Sequence, residues 1–518
     1  MPRTLDCQIL VIGGGSTGAG VAWDAALRGF QVILADRGDL ATGTTGRYHG
    51  LLHSGGRYVV RDPDSARECA RENAILREVA SDCIEDTGGL FVSTPVDDPE
   101  YAERFLAGCQ QTGVAVEEIR PQAALRREPR LNPAIRRAFA VADASVDGWK
   151  LVWACTRAAQ ELGARVLTYH PVTGLVRDVD RVVGARLRDL RSGEELEVRA
   201  QCVVNAAGAW SGQVARLAGC EVAVRPGKGV MVAMNHRLVN TVVNRCNPPG
   251  DGDILVPIRT VSVIGTTDTP VEDPDDAEVD PAEVARLLDA GEVLVPGFHE
   301  ARALRVWTGV RPLFPKAAAG EGGDRFVTRS HTVIRHARSE GVAGLVSVAG
   351  GKVTTFRLMA KDTVDAAAAE LADERPCRTA TTPLPDSAAR RFYWLGSRAQ
   401  EFERAGAENP IVCECELVST ADLLAAASRR PQPHIDDLRR AMRIGMGPCQ
   451  GGFCAFRAAA TLHREGAYDR RQANSALREF VEERWRGQRP VLWGQQLRQA
   501  ELDRWLFEGV LDIEHVPG

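Results

Sequence analysis

The 518-residue sequence lacks the features that would place a chain in a membrane or on nucleic acid. No stretch approaches 18 uninterrupted apolar residues, so we expect no membrane-spanning helix. The start, MPRTLDCQILVIGGGSTG, has no basic region, long apolar stretch or small-residue cleavage site, which argues against an export signal. Lys and Arg form no runs and the net charge is −5, so nothing indicates a nucleic-acid partner. We therefore expect a cytoplasmic protein.

The cysteines divide into a scattered set and a cluster near the end of the chain. Without an export signal the thirteen cysteines point to a reducing compartment, where grouped thiols bind metal more often than they form disulfides. Scattered cysteines such as Cys7 and Cys69 are expected to be small buried hydrophobic residues. The remaining group consists of Cys413, Cys415, Cys449 and Cys454.

The first forty residues have the pattern of a nucleotide-binding βαβ unit. An apolar run at residues 7–12 is followed by GGGSTG, then by small residues, and a second apolar run ends at Asp36. Gly13 permits a tight turn, Gly15 lets the backbone approach a pyrophosphate, and Gly18 allows close packing of helix on strand. The helix N-terminus would face the phosphates, and Asp36 could accept ribose hydroxyls. We therefore predict a nucleotide-binding domain.

Three later segments favour FAD over NAD as the nucleotide. Residues 42–50 are Gly-rich, and residues 203–211 and 346–357 each contain a strand that leads into a small-residue turn. Any one of these could be an ordinary turn, but an extended FAD is longer than one βαβ unit can enclose. The predicted cofactor-binding residues are Gly13, Gly15, Ser16, Thr17, Gly18, Asp36, Arg37, Thr44, Thr45, Gly46, His49, Ala207, Gly208, Gly351, Lys352, Val353 and Thr354.

Several long motifs resemble one family of flavoproteins. The segments are IGGGSTGAGVAWDAALRG, TGTTGRYHGLLHSGGRY, NAAGAW, IGTTD, GVRP and GGKVTTFRLMA. They resemble the FAD-dependent glycerol-3-phosphate dehydrogenases over nearly the whole chain, and the C-terminal cysteines resemble those of the anaerobic branch. The resemblance implies an α/β fold in which a Rossmann-like FAD-binding domain is interleaved with an antiparallel-sheet substrate domain, as in D-amino-acid and glycine oxidases.

The expected domain order combines this resemblance with changes in sequence texture. Alternating residues in 228–236 and 253–268 predict strands, and helical periodicity dominates residues 64–83. The Pro- and Thr-containing stretch after residue 372 is typical of a linker. The predicted divisions are FAD-binding segments 1–90, 145–225 and 300–372, a substrate domain of 91–144 and 226–299, a linker of 373–409, an iron–sulfur domain of 410–465 and a helical tail of 466–518.

The resemblance implies a cationic site for a phosphorylated polyol. A buried phosphate dianion must be matched by hydrogen-bonded positive charge. The family's motifs place Arg57, Tyr58, Arg311, Arg329 and Lys352 around the substrate. Taken alone, each arginine would be interpreted as a solvated or ion-paired residue. We expect Arg311, between Gly309 and Pro312, to lie in a turn after a strand.

The reaction implied is oxidation of sn-glycerol 3-phosphate to dihydroxyacetone phosphate. The C2 hydrogen would leave as hydride to FAD, and the C2 hydroxyl must lose a proton to a base with a pKa near neutrality. The family pattern places His53 in that role, although it could instead orient the flavin or the backbone. His49 is four residues earlier, but the glycines around both predict a loop, so we do not expect metal ligation.

The cysteines form C-x-C and C-x4-C pairs that resemble the [2Fe–2S] domain of bacterioferritin-associated ferredoxin. The resemblance implies that Cys413, Cys415, Cys449 and Cys454 ligate the cluster. Structural zinc sites prefer C-x2-C, which weighs against zinc without excluding it, and a site with no metal is the third alternative. Glycines in GMGPCQGGFC would leave backbone N–H groups free to approach the sulfurs.

A cluster on this chain would carry electrons from the flavin to an acceptor other than dioxygen. The resemblance implies partner subunits B and C, a quinone as the later acceptor, and a position at the inner face of the cell membrane through those partners. The Trp-containing tail either packs on its own domains or docks partners. One alternative is an amino-acid or opine oxidising flavoprotein, which would bind a carboxylate with one arginine. A non-enzymatic electron-transfer or assembly scaffold is another.

Overall fold

A computed structural model of the chain describes residues 3–315, 330–406, 409–430 and 433–517. The strands are β1 Arg3–Ile12, β2 Val32–Ala35, β3 Leu51–Leu52, β4 Ile84–Glu85, β5 Gly89–Ser93, β6 Val116–Ile119, β7 Arg137–Val141, β8 Ala144–Val146, β9 Arg165–Leu167, β10 Val172–Asp178, β11 Arg181–Arg188, β12 Glu195–Asn205, β13 Arg225–Met234, β14 Val242–Arg245, β15 Ile254–Ile258, β16 Val261–Gly265, β17 Thr269–Pro270, β18 Ala303–Leu313, β19 His331–Arg335, β20 Leu345–Gly350, β21 Ile411–Cys413 and β22 Val418–Ser419. The α-helices are α1 Ser16–Leu27, α2 Pro63–Val79, α3 Pro99–Thr112, α4 Pro121–Arg127, α5 Gly148–Glu161, α6 Ser211–Arg216, α7 Pro281–Leu294, α8 His336–Ser339, α9 Phe356–Glu370, α10 Leu395–Ala405, α11 Thr420–Ala427, α12 Ile435–Met442, α13 Cys454–Arg464, α14 Arg470–Arg486 and α15 Gly494–Arg504. Within these described ranges, none of the helices has the length and apolar character needed to cross a bilayer.

The first sheet contains the predicted nucleotide-binding unit. Its order is β10-β11-β12-β1-β2-β9, with β20 beside β12 and β19 beside β20. β1 runs parallel to both β2 and β12, and β12 runs parallel to β20. Helices α1, α5 and α9 pack together over this sheet, with Trp23 and Phe356 fully buried in the shared core. The predicted β1-α1-β2 unit is confirmed.

The glycine loop after β1 has the geometry that its residues predict. Gly13 adopts φ +110°, and a β-carbon built on it would lie 2.6 Å from the Ala206 carbonyl oxygen. A β-carbon on Gly18 would lie 1.8 Å from the Gly13 carbonyl oxygen. Since no side chain fits at either position, only glycine lets α1 start directly above β1.

The second sheet is largely antiparallel and has its own core. Its order is β17-β13-β16-β15-β14-β5-β7-β6, with β18 paired to β13. This core includes Val232 and Ile264 from the strands and Phe298 from the segment after α7. The strands come from the two predicted substrate segments, with one difference. Residues 303–313 form β18 of this sheet, whereas the sequence assigned them to the FAD-binding segment.

The C-terminal cysteine region, residues 409–517, packs around a separate small core. Strands β21 and β22 and helices α11 to α14 enclose Leu423, Leu438 and Phe480. Phe480 belongs to α14, so the tail packs on the cysteine-bearing segments. This agrees with the first of the two alternatives for the tail, packing on the chain's own domains. The predicted linker is not extended chain, because it contains α10. It also runs along the body of the protein, where Leu384 N–H donates to the Val79 carbonyl oxygen at 2.8 Å.

Candidate active site and cysteine centre

A cavity of about 510 Å³ lies at the carboxyl ends of the parallel strands. The loop after β1, residues 42–45, residues 206–210 and residues 350–353 all contribute to its lining, so the three later Gly-rich segments converge as predicted. The predicted cofactor-binding residues on its walls are Gly13, Gly15, Ser16, Thr17, Asp36, Arg37, Thr44, Thr45, Ala207, Gly208, Gly351, Lys352 and Val353. Thirteen of the seventeen predicted cofactor-binding residues therefore lie on one continuous surface.

Four predicted cofactor-binding residues lie elsewhere. Gly18 packs against Gly13, as described above. A β-carbon on Gly46 would lie 2.0 Å from the Ala41 carbonyl oxygen, so this glycine serves the fold of its loop. His49 and Thr354 line a neighbouring cavity instead.

Helix α1 points its N-terminus into the 510 Å³ cavity. Its N-cap residue Gly15 offers no side chain to cap the first turn. One backbone N–H group of the first turn is already hydrogen-bonded, since Ser16 N–H donates to Thr45 Oγ1 at 3.0 Å. The remaining backbone N–H groups of the first turn, together with the helix dipole, favour an anion such as a pyrophosphate.

Asp36 closes the glycine loop from the end of β2. Its carboxylate accepts hydrogen bonds from Gly14 N–H at 2.6 Å and Gly38 N–H at 2.8 Å. Burial raises the pKa of Asp36 to about 6, against the lowering effect of these two bonds. Asp36 therefore shapes the loop itself, and its contact with a ribose stays a prediction.

Trp210 and Asp275 are two of the lining residues that the sequence analysis missed. The Arg37 guanidinium stacks 4.3 Å from the centre of the Trp210 ring and forms an ion pair with Asp275 at 2.6 Å. Trp210 Nε1 also donates to Asp275 Oδ2 at 3.1 Å. Trp210 belongs to the NAAGAW motif and could have been found, whereas Asp275 comes from a loop of the second sheet that carries no motif.

A second cavity of about 390 Å³ joins the first along Thr44, Arg47, Pro312 and residues 350–353. It lies between the two sheets. Five of the six predicted catalytic residues line it, namely His53, Arg57, Tyr58, Arg311 and Lys352. The sixth, Arg329, lies outside the described residues.

The arginines of the second cavity are already engaged with the protein. Arg57 forms an ion pair with Asp253 at 2.7 Å. Arg311 pairs with Asp268 and donates to the carbonyl oxygens of Lys228 at 3.0 Å and Thr267 at 3.1 Å. The predicted turn at Arg311 is wrong, because the residue lies within β18 opposite Gly227. The pairing fixes where each guanidinium lies.

Lys352 approaches the cavity from the segment after β20. Its Nζ lies 4.8 Å from the centre of the Tyr58 ring, so the ammonium is placed over an aromatic face. Among the described lining residues, Asp62 is the only one with a carboxylate, whereas five are cationic: Arg47, Arg57, Arg61, Arg311 and Lys352. The lining therefore keeps a positive surplus even after Asp253 and Asp268 are counted.

His53 has its backbone fixed by two different elements. Its N–H donates to Thr354 Oγ1 at 3.0 Å, and its carbonyl oxygen accepts from Asn73 Nδ2 at 3.1 Å. Its ring lies 5.3 Å from the ring of Tyr58 between centroids. The side chain is thereby presented to the second cavity from a loop, as the glycines around it predicted.

His49 is a neutral neighbour of this site. Its Nδ1 accepts a hydrogen bond from Leu51 N–H at 3.2 Å. Burial, and to a lesser degree the charges of Arg57 and Arg311, lower the pKa of His49 to about 4. At neutral pH the imidazole is therefore uncharged and its Nδ1 acts as an acceptor.

The four C-terminal cysteines meet beneath the second sheet. All four are free thiols, and the sulfurs of Cys415 and Cys449 lie 3.8 Å apart. The neighbouring thiols of Cys415 and Cys454 lower the pKa of Cys449, assisted by a hydrogen bond from the Gly451 backbone. The Gly445 backbone likewise hydrogen-bonds to Cys413. The expected approach of glycine N–H groups to the sulfurs is confirmed for Gly445 and Gly451.

Comparison with known proteins identifies the family. A family model described as FAD dependent oxidoreductase matches residues 8–366. The chain is 42% identical to the A subunit of anaerobic glycerol-3-phosphate dehydrogenase of Escherichia coli (strain K12), over 99% of this chain and 98% of that protein. It is 41% identical to the A1 subunit of the same enzyme in Haloferax volcanii, over 98% of this chain and 91% of that protein. The chain therefore belongs to the FAD-dependent oxidoreductases, in the family of the A subunits of anaerobic glycerol-3-phosphate dehydrogenase.

Solved structures support the same fold. Glycerol-3-phosphate dehydrogenase from Bacillus halodurans, complexed with FAD, matches with a TM-score of 0.65 at 21% identity, over 94% of this chain and 96% of that chain. Glycine oxidase from Geobacillus kaustophilus matches with a TM-score of 0.56 at 23% identity, over 74% and 99% respectively. The predicted oxidase-like FAD-binding fold is confirmed.

Proposed function

We propose that this chain oxidises sn-glycerol 3-phosphate to dihydroxyacetone phosphate with FAD as the hydride acceptor. The observation that carries the proposal is the junction of the two cavities at residues 350–353. A dinucleotide in the first cavity would bring its reactive ring to this junction, where the cationic second cavity begins. The names of the full-length relatives agree with this substrate.

The first cavity fits FAD by its hydrogen-bond donors and by the separated segments that line it. The open N-terminus of α1 suits the pyrophosphate, and no β-carbon at Gly13 or Gly18 obstructs the loop. Bound FAD supplies the hydride acceptor, while the protein supplies position and charge. We propose that the predicted cofactor-binding residues on the wall of this cavity contact FAD.

The second cavity fits a small phosphorylated polyol. Its lining carries a surplus of positive charge and includes Arg57, Arg311 and Lys352. Such a lining favours a phosphate dianion and offers a neutral triol no charge-assisted hydrogen bonds. His53 projects from the same wall and takes the proton of the C2 hydroxyl in this proposal. Arg329, assigned to the same clamp from the sequence, lies outside the described residues.

The test is anaerobic bleaching of the flavin in the purified chain. We expect sn-glycerol 3-phosphate to bleach it and glycerol to act feebly, because glycerol cannot use the cationic lining. Glycine and proline are the comparison substrates for the amino-acid oxidising alternative. Equal responses to glycerol and its phosphate, or bleaching by an amino acid alone, would refute the proposal.

We propose that Cys413, Cys415, Cys449 and Cys454 hold a [2Fe–2S] cluster, within an iron–sulfur domain of residues 410–465. The C-x-C and C-x4-C spacings support the cluster over structural zinc, which prefers C-x2-C pairs. The sulfurs of Cys415 and Cys449 lie 3.8 Å apart. Iron analysis of the anaerobically purified protein tests the assignment.

The cluster would pass electrons onward, because reduced FAD holds two electrons and an iron–sulfur centre accepts one at a time. The relatives are named as subunits, so further chains belong to their enzyme. In our proposal subunits B and C receive the electrons, deliver them to a quinone and hold this chain at the inner face of the cell membrane. Co-purification with those subunits tests this arrangement.

A further inference from the structure

One hairpin of the second sheet extends from the 390 Å³ cavity to the cysteine centre. Strands β15 and β16 pair with each other, and Ile254 at the start of β15 lines that cavity. A β-carbon on Gly50 would lie 2.2 Å from Ile258 Cδ1, so the end of β15 packs against the loop that carries His49 and His53. The next two residues form the hairpin turn. We call Ile258–Thr260 the bridging turn.

The far side of the bridging turn lies against the loop that contains Gly447 and Cys449, which we call the cysteine loop. A β-carbon placed on Gly447 would be 3.2 Å from Thr260 Oγ1 and 3.2 Å from Cys415 Sγ. The hydroxyl and the sulfur therefore flank the same small space. Close by, Arg302 donates to the Pro448 carbonyl oxygen at 2.9 Å, so the second sheet meets the cysteine loop on the side of Cys415 and Cys449.

The Thr260 hydroxyl has no hydrogen-bond partner within the described part of the chain, although the atom is buried. A buried hydroxyl without a partner costs roughly 1–3 kcal/mol, so such groups normally have a ligand or a functional reason. The sulfur of Cys415 flanks the same small space as this hydroxyl. This unsatisfied donor points to an acceptor that is present when the four cysteines hold their metal cluster.

Arg259, the middle residue of the bridging turn, holds the turn in place. The Arg259 guanidinium lies 3.0 Å from the centre of the Tyr393 ring, and its carbonyl oxygen accepts from Arg237 Nη1 at 2.9 Å. Arg259 also adopts φ +54°, a conformation that non-glycine residues hold only under firm constraint. Thr260 is thus kept in place next to the cysteine loop.

We propose that the bridging turn couples the flavin site to the cysteine centre, with the Thr260 hydroxyl donating a hydrogen bond to sulfur on the Cys415 side. The inference rests on the proposed function, because it requires FAD and the [2Fe–2S] cluster. One bound cluster would hold one electron, so the two electrons of the reduced flavin would leave in two successive transfers. The partner subunits of the proposed function would reoxidise the cluster between them, and the flavin proton would pass to solvent. Thr260 is a positioning residue in this scheme.

The hydroxyl should favour the reduced cluster over the oxidised one. Reduction adds negative charge to the sulfurs, and a hydrogen bond to an acceptor strengthens as the acceptor becomes more negative. Loss of the donor should therefore move the electron back towards the flavin. We expect a shift of about fivefold in that equilibrium, the usual weight of one net hydrogen bond.

The experiment compares three variants of the full chain with the wild type. Thr260→Val removes the hydroxyl at nearly constant shape, and Thr260→Ser keeps it. Thr332→Val is the matched control, since Thr332 also has a buried hydroxyl without a partner within the described ranges but lies in β19 of the other sheet. Iron content, flavin bleaching by sn-glycerol 3-phosphate and the midpoint potential of the cluster by redox-titrated electron paramagnetic resonance are measured on each.

The expected result is a lower cluster potential and slower cluster reduction in Thr260→Val only, with bleaching unchanged. Loss of iron in Thr260→Val but not in Thr260→Ser would also support a hydroxyl contact with the loaded site. Equal potentials and equal cluster reduction in wild type and Thr260→Val would overturn the inference. Wild-type protein without iron, or without bleaching by substrate, would instead refute the proposed function.

Discussion

The backbone N–H of His53 donates to Thr354 Oγ1 at 3.0 Å, although the two residues are 301 positions apart in the chain. The bond ties the histidine loop to the segment that follows β20, where the two cavities meet. The bond therefore places His53 relative to the nucleotide cavity, because Thr354 directly follows Val353 of that cavity's wall. A catalytic group must be held within a fraction of an ångström to act efficiently, so this bond should matter for rate.

We expect Thr354→Val to slow anaerobic flavin reduction by roughly three- to tenfold, the equivalent of one net hydrogen bond. The FAD content should stay near that of the wild type, because the Thr354 side chain bonds to the histidine loop. Stopped-flow bleaching measures the rate. Thr354→Ser keeps the acceptor oxygen and serves as the matched control, so equal slowing in both variants would contradict the role assigned to the bond.

His53→Ala should lower the rate of flavin reduction by a factor of roughly 10²–10⁴ if the imidazole is the base. Binding of the phosphate should change much less, since the cations of the lining remain. His236→Ala, in the bend that follows β13, is a control for the loss of an imidazole elsewhere. Kinetics that match the wild type in His53→Ala would leave this histidine only an orienting role.

Arg311→Ala should weaken substrate binding by about 2–5 kcal/mol, as expected for removing one partner of a buried charge pair. Part of that loss reflects Asp268, which would be left without its cation. The companion variant Asp268→Asn separates the two contributions, since it keeps Arg311 but removes the paired charge. Binding of sn-glycerol 3-phosphate, measured as the concentration for half-maximal bleaching, should weaken far more in Arg311→Ala. Equal weakening in both variants would mean that Arg311 serves the fold of β18 rather than the phosphate.

The sequence predicted the nucleotide site because its signals are local. Gly13 and Gly18 are dictated by contacts within one turn, and these contacts are visible in the motif itself. The partners of the clamp could not be predicted, because Asp253 meets Arg57 across 196 residues and lies in no recognised motif. Ion pairs of this kind are decided by the packing of distant strands.

The error at Arg311 has a specific physical reason. Pro312 follows it, and a proline after a glycine-containing strand normally predicts a turn. In the structure Pro312 stands opposite Pro226 on β13, so neither position has an N–H to contribute to the ladder. Among the described strands, β18 pairs only with β13, and proline is tolerated at such an edge. The strand therefore continues through the proline to Leu313.

The buried His49 should make the protein less stable in acid. Its pKa is about 4 in the folded state against an ordinary 6.5, so between these values the unfolded chain takes up a proton that the folded chain does not. Stability attributable to His49 is thus intact above pH 6.5 and falls as the pH drops towards 4. We expect a loss of about 2 kcal/mol between pH 7 and pH 5.

Thermal or urea unfolding of wild type and His49→Gln at pH 7 and pH 5 measures this loss. The acid-induced loss should be smaller in His49→Gln, because glutamine takes up no proton. An identical pH dependence in wild type and His49→Gln would show that His49 does not resist protonation in the folded state.

The four cysteines provide a test of the proposed electron route. Replacing Cys413, Cys415, Cys449 or Cys454 by serine should remove iron and its visible absorbance, because each thiolate would be a ligand. Flavin reduction by sn-glycerol 3-phosphate should persist nearly unchanged, since the two cavities are lined by residues before 360. Transfer to partner subunits or quinone should fail, while a small dye that reaches the flavin directly can still turn over. The cysteine region should also unfold more easily, since metal binding and folding of small domains are coupled.

A matched control separates loss of a ligand from loss of any thiol. Cys377→Ser alters a partly buried cysteine outside the cluster, whose sulfur lies 3.1 Å from Thr379 Oγ1, and should retain both iron and electron transfer. Metal content and stopped-flow bleaching are measured on the same anaerobically prepared samples. Zinc in place of iron in the wild-type protein would refute the electron route, because zinc has no second oxidation state to carry an electron. The four thiols would then stabilise the C-terminal region without taking part in the reaction.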